Sequence, residues 1–291
     1  MCIRVAATVI LYNPDEISLL LNISSYINDV DKLYVIDNSD FSLSSKIVEY
    51  FLSINHIEYI NLGGNKGIAY ALNYAAISAI KAGYDWLMTM DQDSKATPSM
   101  VNKLMSFVYD NRNKHLGIVA ARPIFTDETV EVSLIPEYEY VDVVISSGNV
   151  INLAAYEEIG GFENKLFIDS VDTDFCLSLH LFKYKIIQLN TALFLHRLGD
   201  CKRKYFLGFI KMTPTFHSVV RRYYITRNRY YLFDKYKYEF RDWIRREKYK
   251  NYKEFIMILL YEPNKWKKVL AIYKGWKDAR KGVFGGLKTN L

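Results

Sequence analysis

Short hydrophobic runs alternate with amphipathic stretches over the first two hundred residues of the chain. The runs have the length of buried strands, whereas the stretches between them repeat their apolar residues at helical spacing. Predicted strands cover 4–11, 32–36, 57–60, 85–90, 117–121, 140–147 and 186–195, and predicted helices cover 14–27, 42–54, 68–82 and 98–111. This alternation predicts an α/β fold with a Rossmann-like mixed, mainly parallel sheet that carries helices on both faces.

Polar residues stand where several of these strands end. The carboxyl ends of parallel strands share one edge of a sheet, and ligands bind beyond that edge. We therefore expect a binding site formed by Asp37-Asn38, Asn65-Lys66-Gly67 and Asp91-Gln92-Asp93.

The pattern changes after the last predicted strand. Residues 196–215 show little periodicity and are predicted to form a loop, and the remainder is rich in Tyr, Lys, Arg and Trp at helical spacing. The sequence thus predicts an α/β domain over 1–215, which carries the expected binding site, and a basic, aromatic-rich helical region over 216–291.

The two parts of the chain carry charge of opposite sign. Residues 1–200 contain 14 Lys and Arg against 25 Asp and Glu, whereas residues 201–291 contain 24 against 7. Such a surplus indicates an anionic partner, either nucleotide phosphates or an acidic membrane surface, although a solvated helical surface has the same composition. Nucleic acid is not expected, because no recognisable nucleic-acid-binding module accompanies the charge.

Cysteine usage and hydropathy place the chain in a reducing compartment. The three cysteines are far apart and form no C-x-x-C pair, which argues against a disulfide framework or a zinc site. Neither a signal segment nor a run of eighteen apolar residues occurs. We expect a cytoplasmic protein that does not itself cross the membrane.

The strongest candidate for chemistry is Asp91-Gln92-Asp93. Two carboxylates one residue apart at a strand end can face one cation, and hard oxygen ligands suit Mg²⁺ or Mn²⁺. A solvated turn before the helix near Pro98 is the alternative. The position after an apolar strand, among other polar strand ends, favours the metal site. His196 also follows a predicted strand and could reach the metal, or be structural.

A second acidic cluster precedes a predicted helix. Asp169, Asp172 and Asp174 fall within six residues, and a carboxylate there could act as a general base. Acidic residues also stabilise helix N-termini without any catalysis. Further along, Arg221, Arg222, Arg227 and Arg229 could bind a diphosphate or remain surface charges. Both alternatives stay open for each set.

Taken in order, these motifs resemble the family 2 inverting glycosyltransferases of GT-A fold, and in particular bacterial rhamnosyltransferases of that family. The resemblance covers roughly residues 3–235. It is carried by Thr8–Asn13, Asp37-Asn38, Asn65–Ala69, Asp91–Asp93, Gly160-Gly161-Phe162, Phe167–Leu177 and Tyr223–Tyr231.

The resemblance implies a role for each matching position. Asp172 corresponds to the catalytic base, although Val171 replaces the acid that usually precedes it and leaves Asp169 or Asp174 as substitutes. Asp93 and His196 would bind Mg²⁺ or Mn²⁺. The nucleotide and its diphosphate would contact Tyr12, Asp37, Asn65, Lys66, Asp91 and Arg227, and the donor sugar or acceptor would contact Ser147, Gly148 and Asp169.

The implied activity is transfer of one sugar, with L-rhamnose from dTDP-L-rhamnose expected first, to an acceptor hydroxyl during synthesis of a bacterial surface polysaccharide such as O-antigen or capsule. A UDP-sugar such as UDP-galactose or UDP-N-acetylglucosamine is the alternative donor. A nucleotidyltransferase is disfavoured because Tyr12-Asn13-Pro14-Asp15, not a glycine-rich basic loop, follows the first strand. A non-catalytic nucleotide-sugar-binding module remains the other possibility.

The C-terminal region has two interpretations. Its basic and aromatic residues suit the headgroup layer of an anionic bilayer, which would hold the enzyme at the inner face of the cell membrane beside a lipid-linked acceptor. A helical packing module that forms a homodimer fits the same pattern.

Overall fold

The computed structural model describes residues 3–124, 135–196 and 216–287, together with two short strands between the last two ranges. These two strands, β10 (Lys204–Phe206) and β11 (Ile210–Met212), pair antiparallel. They lie within the interval 196–215 that the sequence predicts to be a loop, and most of that interval lies outside the described residues.

A nine-stranded sheet forms the centre of the described fold. Its strands are β1 (Val5–Leu11), β2 (Lys32–Asp37), β3 (Ile57–Asn61), β4 (Trp86–Asp91), β5 (Lys95–Ala96), β6 (Leu116–Ile124), β7 (Tyr138–Tyr140), β8 (Asn149–Asn152) and β9 (Lys185–Leu195). The helices that connect them are α1 (Glu16–Ile23), α2 (Ser45–Leu52), α3 (Ile68–Lys81), α4 (Met100–Asp110), α5 (Leu153–Ile159) and α6 (Val171–Leu181), with a 3-10 turn at Ile27–Asp29.

The order of the strands is β3-β2-β1-β4-β8-β6-β9-β5, with β7 also paired to β9. Strands β1 to β4 are parallel to one another, whereas β8, which lies between β4 and β6, is antiparallel to both. The short strands β5 and β7 are antiparallel to β9. Because β4 and β6 are both antiparallel to β8, they run in the same direction, and β9 is parallel to β6. The carboxyl ends of β1, β2, β3, β4 and β9 therefore share one edge of the sheet.

One predicted strand is wrong. The β-branched run at 140–147 is not a strand after Tyr140, where β7 ends. The carbonyl oxygens of Asp142, Val144 and Ile145 instead bond to side chains, namely His180 Nε2, Cys176 Sγ and Asn149 Nδ2. Because these three carbonyl oxygens have side-chain partners, they do not need the N–H groups of a neighbouring strand.

The chain divides into two compact units. The first contains Met1–Asn164 and Val171–Arg197, and the second contains Lys165–Ser170 and Leu198–Leu291. The second unit thus includes a six-residue segment that the sequence-based division placed in the first domain. Its helices are α7 (Val219–Lys235), α8 (Arg241–Tyr261) and α9 (Lys265–Lys281), and none of the helices in the described ranges is long and apolar enough to cross a membrane.

Candidate active site

Three potential metal ligands converge at the carboxyl edge of the sheet in the first unit. Asp91 ends β4, Asp93 lies two residues further on, and His196 follows β9. Ligand atoms of these three side chains lie within 4.8 Å of one another. Asp93 is exposed, whereas Asp91 and His196 are half-buried, so the cluster opens towards solvent on the Asp93 side.

The register of two strands explains why His196 meets the acidic turn. Strand β5 pairs antiparallel with β9, with Lys95 opposite Leu195 and Ala96 opposite Phe194. One step further, this register sets Ser94 against His196, and Ser94 Oγ lies 2.9 Å from His196 Nδ1. Ser94 is fully buried and its backbone N–H donates to the Asp91 carbonyl oxygen. The hydroxyl therefore links the acidic turn to the imidazole.

The donor set fits a divalent cation. Carboxylate oxygens suit Mg²⁺ and Mn²⁺, and an imidazole nitrogen is accepted by Mn²⁺ and later metals of the series. With Nδ1 of His196 engaged by Ser94, Nε2 is the nitrogen left to bind a metal. A partner of this kind fixes the tautomer and the orientation of a ligating histidine.

The electrostatics of Asp91 also favour a cation. Burial raises the pKa of Asp91 to about 7, and the negative charges of Asp93 and Asp172 contribute to the same rise. The residue proposed from sequence as the base therefore lies close enough to the acidic turn to act on its charge. A positive ion between these carboxylates would relieve both desolvation and repulsion.

This raised pKa predicts pH-dependent metal binding. Below pH 7 a cation must displace the proton of Asp91, so the affinity for Mn²⁺ should fall by about tenfold per pH unit between pH 7 and 5.5. Asp91 also makes the metal-free protein less stable as the pH rises from about 4 to 7. Over this range the carboxyl group loses its proton more readily in the unfolded chain than in the folded protein, because its pKa is lower in the unfolded chain. Titration calorimetry with Mn²⁺ across this range, with thermal unfolding at each pH as the control, measures the effect. An affinity that is constant from pH 5.5 to 8 would contradict it.

Ser147 and Gly148 support the acidic turn from the neighbouring strand. Ser147 Oγ accepts a hydrogen bond of 3.0 Å from the Asp91 backbone N–H. Gly148 donates to the Thr89 carbonyl, has a φ of +73°, and would place a Cβ 2.6 Å from the Phe194 ring. Only glycine fits this position without displacing the ring, so the turn between β7 and β8 is closely packed beneath the site.

A second polar cluster lies at the ends of β2 and β3. Asp37 is buried, and its Oδ2 accepts from the Tyr59 hydroxyl at 2.6 Å and from Asn61 Nδ2 at 3.3 Å. Next to it, Asn38 Oδ1 accepts from the Lys66 backbone N–H at 2.7 Å, and Asn38 Nδ2 donates to Asn65 Oδ1. The predicted nucleotide-binding residues Asp37, Asn65 and Lys66 are thus held in one network.

Tyr12 connects this cluster to the acidic turn. Its backbone N–H donates to Gln92 Oε1 at 2.8 Å, and Gln92 Nε2 donates back to its carbonyl at 3.2 Å. The Tyr12 hydroxyl donates to Asp40 Oδ2, and this bond raises the pKa of the phenol. Gln92, the middle residue of the D-x-D motif, therefore binds the motif to the loop that follows β1.

A profile of the glycosyl transferase family 2 domain matches residues 9–188, which include Asp91, Asp93, Asp172 and the polar cluster around Asp37 but not His196. The chain belongs to glycosyl transferase family 2. It is 28% identical over 260 residues to the dTDP-rhamnosyl transferase RfbF of Shigella flexneri, and the alignment covers 80% of each chain.

Solved structures of low sequence identity share the fold of this family 2 chain. GalNAc-T7, solved with UDP, GalNAc and Mn²⁺, has a TM-score of 0.54 at 13% identity, over 67% of this chain and 43% of its own. TarS of S. aureus in complex with UDP-GlcNAc has a TM-score of 0.52 at 13% identity, over 96% of this chain and 73% of its own. The chain therefore spans less than half the length of the GalNAc-T7 chain. These likenesses confirm the predicted GT-A fold.

The three acids of the second acidic cluster lie in different surroundings. Asp172 is half-buried in the first turn of α6, and its Oδ1 accepts from the Thr173 backbone N–H. Asp174 is only 2% exposed. Asp169 belongs to the second unit, where Arg221 Nη2 lies 3.1 Å from its Oδ1. Among the three, Asp172 combines partial exposure with electrostatic proximity to Asp91.

Arg227 occupies a different environment from the one predicted for a diphosphate ligand. It is buried in the second unit, where it donates to the carbonyl oxygens of Gly285 and Lys165 and lies over the Tyr224 ring. The guanidinium is thus bound to groups of its own unit, and the diphosphate contact of Arg227 stays a prediction. Arg222 and Arg229 likewise pair with Glu254 of α8.

The sequence analysis missed three residues of the site. Tyr59 and Asn61 lie at the end of β3, and the rule that identified Asp37 and Asp91 would have found Asn61 there. Ser94 follows the D-x-D motif, but its contact with His196 depends on the pairing of β5 with β9. A two-residue strand leaves no periodic signal, so the sequence alone could not indicate that contact.

Proposed function

We propose that this family 2 glycosyltransferase is metal-dependent and inverting, and that it transfers L-rhamnose from dTDP-L-rhamnose to an acceptor hydroxyl in the synthesis of a bacterial surface polysaccharide. The convergence of Asp91, Asp93 and His196 beside Asp172 carries the proposal. The similarity to a dTDP-rhamnosyl transferase supports the choice of donor.

Each part of the site has a role in the proposed transfer. Asp93, His196 and Asp91 would hold Mg²⁺ or Mn²⁺, which neutralises negative charge on a departing diphosphate when bound. Asp172 takes the proton of the acceptor hydroxyl, and the oxygen attacks the anomeric carbon on the face opposite the diphosphate. The new glycosidic C–O bond forms as the bond to the diphosphate oxygen breaks, so one displacement inverts the anomeric configuration.

The network around Asp37 would receive the nucleotide. Asp37 can accept from a base or a ribose hydroxyl through Oδ1, because this oxygen accepts from the Ser39 backbone N–H and has a second lone pair. Asn65 and the Lys66 backbone are hydrogen-bonded to the adjacent residue, Asn38, and Tyr12 is bonded to Gln92 of the acidic turn. Ser147 is hydrogen-bonded to the Asp91 backbone, and Ser147 and Gly148 would border the donor sugar.

The donor is tested by binding and by turnover. Purified protein is titrated calorimetrically with dTDP and UDP in Mn²⁺, in Mg²⁺ and in EDTA, and then incubated with dTDP-L-rhamnose or UDP-sugars and a panel of lipid-linked acceptors. Metal-dependent binding of dTDP with rhamnose transfer supports the proposal. Preference for UDP, the nucleotide bound by the TarS and GalNAc-T7 structures, would change the donor and keep the reaction. If the protein is folded but binds neither dTDP nor UDP, the proposed nucleotide-binding site is wrong.

We further propose that α9 rests on an anionic membrane and so brings the enzyme to a lipid-linked acceptor. Trp266, Leu270 and Tyr273 follow each other at helical spacing and are all more than half exposed. The same helix carries seven Lys and Arg against one acidic residue, Asp278. An exposed apolar stripe flanked by positive charge suits the headgroup layer of an acidic bilayer.

The membrane proposal predicts that the double substitution Trp266→Ser with Leu270→Ser weakens binding to phosphatidylglycerol vesicles at least tenfold. Both side chains would be buried in the bilayer, and the variant loses the apolar area that they bury there. Ile17→Ser with Leu21→Ser is the matched control, because these α1 residues are equally exposed and also four apart. Vesicle sedimentation measures both. Equal binding by wild type and the α9 variant, or binding unaffected by removal of the anionic lipid, would contradict the proposal. A concentration-dependent dimer that the α9 variant abolishes would assign the stripe to a second copy of the chain.

A further inference from the structure

The side chain of Gln92 continues the pairing of two strands beyond the point where their backbones separate. The parallel pairing of β1 with β4 ends at Ile10 and Asp91. Directly after it, Gln92 Oε1 accepts from the Tyr12 backbone N–H at 2.8 Å, and Gln92 Nε2 donates to the Tyr12 carbonyl oxygen at 3.2 Å. These two bonds set the distance and the orientation between the loop after β1 and the turn that carries Asp91 and Asp93.

The backbone of the same turn is held by other elements of the first unit. Asn22 of α1 donates from Nδ2 to the Gln92 carbonyl oxygen at 2.9 Å, and the Asp91 N–H donates to Ser147 Oγ at 3.0 Å. Backbone and side chain of Gln92 are therefore both bonded. The side chain is a link of defined length between the turn and Tyr12.

The loop after β1 is bonded at its other end to the predicted nucleotide site. The Asn13 backbone N–H donates to Ser39 Oγ at 2.9 Å, and the Ser39 backbone N–H donates to Asp37 Oδ1 at 3.0 Å. Next to Asn13, the Tyr12 hydroxyl donates to Asp40 Oδ2 at 2.7 Å. Contacts within one unit thus lead from the buried carboxylate of Asp37 to the D-x-D motif.

The loop between these two ends has an unfavourable backbone. Asn13 has a φ of +43°, in the left-handed region that residues other than glycine rarely adopt. Such conformations persist where surrounding contacts impose them. Here Gln92 binds the preceding residue and Ser39 binds the N–H of Asn13 itself. The conformation of the loop therefore depends on contacts at both ends.

We propose that Gln92 is a positioning residue that couples nucleoside binding to metal binding. A nucleoside bound at Asp37 favours the loop conformation in which Gln92 holds the turn of Asp91 and Asp93, and this arrangement favours the metal. The effect is reciprocal, because the metal must raise the affinity for the nucleoside by the same factor. The inference rests on the proposed function, which has the nucleotide at Asp37 and the metal at Asp91 and Asp93.

The affinity for Mn²⁺, measured with and without thymidine, tests the coupling. Thymidine has no phosphate to contact the metal, so its effect must pass through the protein. The electron paramagnetic resonance signal of free Mn²⁺ gives the affinity during titration of the protein, alone and with an excess of thymidine or uridine.

In the wild type, we expect one of the two nucleosides to raise the affinity for Mn²⁺ at least about fivefold, the lower end of typical coupling between sites. In Gln92→Met, which keeps the length of the side chain but cannot form its two bonds, the factor should be below twofold. A wild type in which neither nucleoside changes the affinity for Mn²⁺ would overturn the inference. So would a Gln92→Met variant with the same factor as the wild type.

Gln188→Met is the matched control, because it makes the same substitution at a half-buried glutamine of the first unit. Gln188 donates to Glu139 Oε1 and Asn190 Oδ1, not to the loop after β1, and its loss should leave the factor unchanged. If Gln92→Met binds no Mn²⁺ at all, Ser39→Ala decides. It removes the acceptor of the Asn13 N–H at the other end of the loop. A factor below half that of the wild type supports the inference, and an unchanged factor overturns it.

Binding of dTDP separates this inference from the proposed function. A diphosphate contacts the metal directly, so Gln92→Met should still bind dTDP more tightly in Mn²⁺ than in EDTA. Metal-dependent binding of dTDP to a wild type whose Mn²⁺ affinity does not respond to nucleoside would refute the coupling and keep the site. A wild type that binds no Mn²⁺ would refute the metal site, and the coupling with it.

Discussion

Replacing Asp172 by Asn is expected to lower kcat by roughly 10³-fold, because a positioned general base contributes about 10²- to 10⁴-fold to a rate. The amide has the shape of the carboxylate but cannot accept the proton of the acceptor hydroxyl. Binding of the nucleotide should stay within twofold, since the polar network around Asp37 is untouched. Initial rates at saturating donor, together with calorimetric affinity for the nucleoside diphosphate, measure the two effects separately.

The other two acids of the cluster are the controls for this substitution. Asp174 is buried within α6, and Asp169 is bound to Arg221, so neither is as accessible to an acceptor as Asp172. Asp174→Asn should mainly lower the unfolding temperature, and Asp169→Asn should lower kcat far less than Asp172→Asn does. If Asp174→Asn remains folded and loses as much turnover as Asp172→Asn, the base role passes to Asp174.

The position of the site could be predicted from sequence because it depends on a simple property of parallel sheets. Asp37 and Asp91 each end a strand, and the parallel pairing of β1 with both neighbours brings those ends to one edge. His196 was predicted near the metal for the same reason, and the structure brings it within 4.8 Å of the two carboxylates. Hydrophobic runs in the sequence predict where the strands lie. A helix between two successive strands predicts that the strands are parallel.

Features that depend on antiparallel or very short elements could not be predicted in this way. Strand β8 has four residues and is inserted between β4 and β6, where Gly148 adopts a left-handed conformation. The stronger β-branched run just before it suggested a strand at 140–147, but side chains from α6 and β8 bind its carbonyl groups. Local propensity was therefore overridden by tertiary contacts.

The surroundings of Arg227 also could not be predicted from the sequence. A run of arginines on a helix has the same pattern whether its members bind a ligand or their own protein. The carbonyl groups that Arg227 binds belong to residues 58 and 62 positions away, and no periodicity links them. The burial of Arg227 and its bonds to these carbonyl groups are visible only in the packed structure.

Replacing Asp93 by Ala is expected to weaken Mn²⁺ binding by at least about 100-fold, and metal-dependent binding of the nucleoside diphosphate with it. Loss of an outer partner of a metal ligand already costs about 10- to 100-fold in affinity, and Asp93 is proposed as a direct ligand. Removing its charge should also lower the pKa of Asp91, because the Asp93 carboxylate contributes to the rise. Calorimetric titration with Mn²⁺ at pH 7.5, with and without dTDP, measures the loss.

A graded series makes this result specific to the metal site. Ser94→Ala removes only the partner of His196 Nδ1 and should weaken Mn²⁺ binding by about tenfold, less than Asp93→Ala does. Asp110→Ala, at an exposed acid at the end of α4, should have no effect. If Asp93→Ala binds Mn²⁺ within threefold of the wild type while remaining folded, the cation is held elsewhere. If Ser94→Ala is unaffected but Asp93→Ala is not, the metal rests on the carboxylates and His196 is not a ligand.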